Sequence, residues 1–141
     1  MIYLDTSFIA PRYIAEATSE KVEQFLLQLD SEEIAISSWT HVEFASLLSR
    51  RLRMQEIHET MVVQMTAMFE YDLRESFHVF IPTVADYDLA VHLLQKPSTG
   101  LRAGGALHLA IAYHHQCKFY TLDKPLIKAA RHLDVEVDTL A

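Results

Sequence analysis

The sequence predicts an α/β fold, a parallel sheet of four or five strands with helices on both faces. Three observations predict it. Apolar runs near residues 1–4, 33–37, 77–81 and 118–122 are too short for helices and carry β-branched or aromatic residues. Longer stretches between them place apolar residues at helical spacing. The alternation of the two kinds is unbroken, which calls for right-handed crossovers and parallel strands.

The elements follow in order. The first run, MIYL, reads as a buried strand ending at Asp5. Over 18–29, Val22, Phe25, Leu26 and Leu29 share a helix face, with Thr18 or Ser19 as cap. EIAIS at 33–37 is the second strand. A helix from Thr40 to about Arg53 turns Phe44, Leu47, Leu48 and Leu52 inward, and another to about Glu75 carries Ile57, Met61, Met65, Met68 and Phe69 as core. FHVFI at 77–81 is the third strand, stopped by Pro82. Thr83-x-x-Asp86 is a capping-box start for a helix bearing Tyr87, Ala90, Val91 and Leu94. Lys96 to Gly104, with Pro97 and Ser98, is a loop. A helix to about His115 holds Ala106, Leu107, Ala110 and Ile111. KFYTL at 118–122 is the fourth strand, Asp123 to about His132 a short helix with Pro125 in its first turn, and DVEVD at 134–138 the candidate last strand.

Composition narrows the function. The chain has 141 residues, half of them apolar and 22% charged, the balance of one globular domain over 1–141. A chain of this size buries about two thirds of its unfolded surface and folds without a metal or disulfide. No apolar run reaches the roughly 18 residues of a membrane span. The N-terminus lacks the basic region and cleavage site of a signal peptide, so the expected location is cytoplasmic. Cys117 stands alone, which excludes an internal disulfide and a multi-cysteine zinc site. A net charge of −7 argues against broad electrostatic binding of nucleic acid, but not against a metal-assisted nuclease with a local basic rim. Arg50, Arg51, Arg53, Lys124, Lys128 and Arg131 are the candidates for that rim, or simply a solvated face.

Ligands of such sheets bind outside the carboxyl ends of the strands, at the switch point of the strand order. Asp5 ends the first strand and Asp123 the fourth, and Glu43 lies near the start of the helix after the second. Three acids from distant segments therefore reach one edge if strands one and four are neighbours. Carboxylate oxygens are the ligands that Mg²⁺ and Mn²⁺ prefer. Clustered carboxylates repel, so at least one is expected with a raised pKa. Each acid also has a structural alternative: Asp5 capping the next turn, Glu43 as the N3 partner of a Thr40 capping box, and Asp123 as an N-cap. Other chemistries lack their residues. His58-Glu59 has Val62 where a zincin needs histidine, His41-x-Glu43 lacks the paired cysteines of a zinc deaminase, and no glycine-rich phosphate loop is present.

The segments MIYLDTSFIAPRYIAE, SSWTHVEFASLLSRR and LRAGGALHLAIAYHHQCKFYTLDKPLIKAA, with their spacing, resemble the PIN domain, specifically the VapC-like toxins. The resemblance covers nearly the whole chain. It implies a three-layer α/β/α fold and an Mg²⁺- or Mn²⁺-dependent endoribonuclease that leaves 5′-phosphate and 3′-hydroxyl ends. It also implies the toxin of a type II toxin–antitoxin pair, held inactive by a small VapB-like antitoxin, and a homodimer. The family's first acid falls on Asp5, followed by the hydroxyl of Thr6, and the second falls on Glu43. The fourth falls on Asp123, with Thr121 ahead of it. The third sits in a motif reading roughly R-A-x-D-A-L-H-L-A, and there this chain has Gly105 within Arg102-Ala103-Gly104-Gly105-Ala106-Leu107-His108. The implied metal ligands are Asp5, Glu43 and Asp123, with Thr6, Arg102 and Thr121 as substrate contacts. An aspartate at 105 is expected to point at the metal, so its absence implies impaired cleavage. The alternative is an inactive homologue that binds antitoxin or RNA, and a third reading is a DNA-directed nuclease.

Overall fold

The computed structural model describes residues 1–96 and 99–140. Pro97 and Ser98 of the expected loop lie outside the described residues. Five strands, β1 (Ile2–Leu4), β2 (Ile34–Ser37), β3 (His78–Phe80), β4 (Lys118–Tyr120) and β5 (Val137–Asp138), form one sheet in the order β3-β2-β1-β4-β5. Every pairing is parallel. The helices are α1 (Thr6–Ile9), α2 (Ser19–Leu27), α3 (Ser38–Arg53), α4 (Glu59–Glu75), α5 (Val84–Leu94), α6 (Ala103–His114) and α7 (Lys124–His132). Short 3-10 turns at Ala10–Arg12 and Ser31–Glu33, which periodicity does not reveal, complete the described elements. None of these helices is long and apolar enough to cross a membrane.

The period-two alternation of side chains along each strand divides the core into two layers. Tyr3, Ala35 and Phe119 face α5, α6 and α7, where Leu93, Leu107, Ile111 and Leu126 are buried. Leu4 and Ile36 face the opposite layer of Phe8, Val22, Phe44, Leu48, Met65 and Phe69. Residues Ala106 to Ala112 of α6 are all buried, so this helix is apolar around its circumference. Two helix faces differ from expectation. On α4, Met65 and Phe69 are core while Met61 and Met68 are exposed. On α5, Ala90 and Leu93 are buried with Asp86, and Tyr87, Val91 and Leu94 face outward.

Two capping boxes set where α3 and α5 begin. The Thr83–Asp86 capping box forms as the sequence predicts. α3 starts earlier than the Thr40 reading places it: Ser37 is the N-cap and Thr40 its N3 partner in a reciprocal capping box. Glu43 is thereby released from any capping duty, because the box is closed three residues before it.

Candidate active site

The sheet order decides where chemistry can gather. β1 lies between β2 and β4, so the chain winds outward in one direction through β2 and β3 and then in the other through β4 and β5. The switch point is the β1–β4 boundary. Asp5 follows β1 and Asp123 follows β4 within three residues, which brings both to one edge. The Asp5 amide donates to the Tyr120 carbonyl at 3.2 Å, so the ladder itself fixes the Asp5 backbone.

Asp5 is only 3% exposed. Its Oδ1 accepts from the Phe8 amide at 3.0 Å and the Ser7 hydroxyl at 2.7 Å, and its Oδ2 accepts from the Thr121 hydroxyl at 2.6 Å. Thr121 Oγ1 also accepts from the Asp123 amide at 3.0 Å, so one hydroxyl ties the two acidic turns together. Burial raises the Asp5 pKa, against the lowering influence of His108 and of the three donors. The expectation of one raised carboxyl is met, but desolvation rather than neighbouring carboxylates is the cause. Both structural alternatives are realised as well: Asp5 is the N-cap of α1, and Asp123 is the N-cap of α7, accepting from the Leu126 amide at 3.4 Å.

Glu43 reaches the same edge from α3. Its Oε1 accepts from the Thr6 hydroxyl at 2.6 Å and is paired with His108 Nε2. Burial alone would raise the Glu43 pKa, but the His108 hydrogen bond and charge, with the Thr6 hydroxyl, outweigh it and hold it below the ordinary carboxylate value. His108 is buried and its other ring nitrogen meets the Tyr3 hydroxyl at 2.7 Å, which in turn donates to Ser37 Oγ at 2.8 Å. The chain Ser37–Tyr3–His108–Glu43–Thr6 thus crosses from the sheet interior to the acidic edge. Thr6 and Thr121 both serve the acids directly. Arg102 is the N-cap residue of α6, exposed and without an ion pair among the described residues.

The two glycines of α6 play different parts. A Cβ at Gly104 would sit 2.4 Å from Glu43 Oε2, so the missing side chain is what makes room for the Glu43 carboxylate. A Cβ at Gly105 would meet the Leu126 methyls at 3.3 and 3.4 Å and Leu101 at 3.6 Å. It would start beside α7, the helix whose N-cap is Asp123. Beside Gly104, the buried Trp39 indole N–H finds no hydrogen-bond partner among the described residues.

In donor chemistry, Asp5, Glu43 and Asp123 are the hard oxygens a divalent cation takes. Their arrangement is not a cage. Among the described residues no group of three Asp, Glu, His or Cys side chains is placed to hold an ion. Asp5 spends both oxygens on internal donors, and Glu43 spends one on Thr6 and His108. The sequence reading assigned no part to Ser7, Trp39, Gly104 or His108. Of these His108 left a signal, a single histidine in the otherwise apolar run Ala106–Ala112.

The PIN-domain family model matches residues 2–132. The chain belongs to the PIN-domain family. Its fold is shared with VapC20 of Mycobacterium tuberculosis, a sarcin-ricin-loop-cleaving toxin, at 19% identity and a TM-score of 0.74 over 92% of this chain and 95% of that one. FitAcB of Neisseria gonorrhoeae is similar at 20% identity and a TM-score of 0.70, with 97% and 96% covered. VapBC2 of Rickettsia felis, bound to a DNA fragment from its promoter, is similar at 14% identity and a TM-score of 0.69, with each chain fully covered. No curated protein sequence matches significantly. As a PIN domain, the chain carries Asp5 and Asp123 at the edge of the sheet where its topology concentrates polar side chains.

Proposed function

We propose that this PIN domain, single over 1–141, is a VapC-like toxin that hydrolyses RNA phosphodiesters as an endoribonuclease and cuts weakly as it stands. The observation that carries the reading is the meeting of Asp5 and Asp123 at the β1–β4 switch point through the shared Thr121 hydroxyl. Asp5, Glu43 and Asp123 are the proposed catalytic and metal-binding acids, and Arg102 the proposed substrate contact; Thr6 and the fully buried Thr121, expected from the resemblance as substrate contacts, instead spend their hydroxyls on Glu43 and Asp5. Mg²⁺ or Mn²⁺ is the proposed cofactor, which when bound neutralises phosphate charge. What the chain itself supplies is positioning. Thr6 and His108 aim Glu43, Ser7 and Thr121 aim Asp5, and Arg102 offers a guanidinium to phosphate at the start of α6.

Two features support weak cleavage. Position 105 has no acid, and the acids present are engaged by internal donors rather than grouped around an ion site. The partners of the proposal are RNA and a small VapB-like antitoxin in the cytoplasm, with no membrane. Solved toxin–antitoxin complexes among the structural neighbours support the antitoxin. The same observations favour a second reading, an inactive homologue that binds RNA or antitoxin without cutting.

The test is cleavage of labelled RNA and of DNA with Mn²⁺, against EDTA and against Asp5→Asn. Slow, EDTA-sensitive RNA cleavage that Asp5→Asn abolishes supports the toxin reading. RNA binding without cleavage at any metal concentration supports the second, and cleavage of DNA alone overturns both.

A further inference from the structure

We propose that the outer face of α7 is the track on which the sugar–phosphate backbone of single-stranded RNA lies as it enters the acidic edge. The proposal rests on the toxin reading above and adds to it a binding surface separate from the acids.

The sequence of α7, KPLIKAARH, contains three cations and no acid. Leu126, Ala129 and Ala130 are buried against the sheet. Lys124, Lys128 and Arg131 recur at intervals of four and three residues, which puts them on one face, and all three are exposed. Three of the chain's 12 Lys and Arg residues make ion pairs among the described residues. Arg12 is bonded to Glu23 and Asp72, Arg51 to Glu16 and Glu56, and Lys118 to Glu136 and Asp138. Lys124, Lys128 and Arg131 have no acidic partner among the described residues.

Removing these three from the chain's 12 basic residues leaves 9 against 19 acidic ones. A positive face on so acidic a molecule is a local departure, and it attracts an anion over the general repulsion of the rest. The face is open to solvent. Lys124, Ile127, Lys128, Arg131 and His132 line a depression of about 590 Å³. Lys124 directly follows Asp123, so the depression begins where the acids are. From Lys124 to Arg131 the helix rises about 10 Å. A stacked strand advances about 3.4 Å per nucleotide, so the three cations can meet about three consecutive phosphates. Lys and Arg repeated along one face match repeated phosphates, so the proposed binding is to backbone and independent of sequence.

The experiment measures anisotropy of a short fluorescein-labelled single-stranded RNA in EDTA, across a salt series, so that binding is read without cleavage. Wild type is compared with the Lys128→Ala/Arg131→Ala double variant. A Lys21→Ala/Arg74→Ala variant on α2 and α4 loses the same charge elsewhere. The proposal predicts several-fold weaker binding for the α7 variant alone, equal across RNA sequences. It also predicts a salt slope shallower by about 0.7 for each lost contact. An unchanged slope in the α7 variant while wild type binds RNA overturns the track and leaves the toxin reading intact. Equal losses in the two variants overturn it in the same way, as does a polyglutamate peptide binding as tightly as RNA. Wild type that binds no RNA overturns the toxin reading itself.

Discussion

Gly104 and Glu43 are coupled by space rather than by a bond. Alanine in place of a helical glycine ordinarily gains up to about 1 kcal/mol. Here the added Cβ would take the position of Glu43 Oε2 and push the carboxylate away from Thr6 and His108. Losing those hydrogen bonds costs about 1–2 kcal/mol. Gly104→Ala is therefore predicted to be neutral or destabilising in wild type and stabilising by about 0.5–1 kcal/mol in a Glu43→Ala background. Urea denaturation of the four proteins checks this, and equal effects in both backgrounds would remove the steric account. Asp5 and Asp123 were legible in the sequence, because each ends an apolar run that reads as a strand. The Glu43 environment was not. Its partner His108 is 65 positions away, and only folding brings the two side chains together at the edge of the sheet.

At the scale of elements, α5 and α6 are joined by a buried acid. Asp86 is fully buried and receives the Thr83 amide at 2.9 Å and the His114 ring at 2.5 Å, so it is both a cap for α5 and an anchor for the end of α6. Burial alone would raise its pKa, but the His114 and Thr83 contacts prevail and lower it. A carboxylate with a lowered folded pKa adds stability above its unfolded value near 4 and loses it as pH falls through the folded value. His114→Ala should cost about 1–3 kcal/mol at neutral pH by leaving Asp86 under-partnered. It should also flatten the acid limb of the stability profile below about pH 4. Thermal unfolding of both proteins from neutral to acid pH measures it, and parallel profiles would deny the anchor. The capping box of α5 was legible because Thr83 and Asp86 are three residues apart. The face that α5 buries was not, since Asp86 takes an inward position that periodicity gives to Tyr87 or Val91.

Across the whole molecule, the five-stranded parallel sheet follows from unbroken strand–helix alternation, and the order that creates the β1–β4 switch point is not carried by any one segment. The surface carries more apolar area than that sheet needs. Val42, Met54, Val63, Met68 and Tyr71 are exposed on and beside α3 and α4, and Ile81, Val84, Tyr87 and Val91 along α5 and the turn before it. Exposed apolar patches of this kind mark association surfaces. We propose a homodimer, and light scattering at micromolar concentration should return twice the chain mass. A strict monomer would contradict it and leave these faces to the antitoxin.

The central claim is that the β1–β4 edge is a nuclease site weakened by the missing acid at 105. A side chain there needs only a few tenths of an ångström from the Leu126 methyls and sits on the helix turn facing α7, whose N-cap is Asp123. The direct measurement is the rate of RNA cleavage in Mn²⁺ by Gly105→Asp beside wild type, each with an EDTA control. The account predicts little or no cleavage by wild type and a marked, EDTA-sensitive gain in the variant. Strong EDTA-sensitive cleavage by the wild type, or no gain from Gly105→Asp, would contradict it.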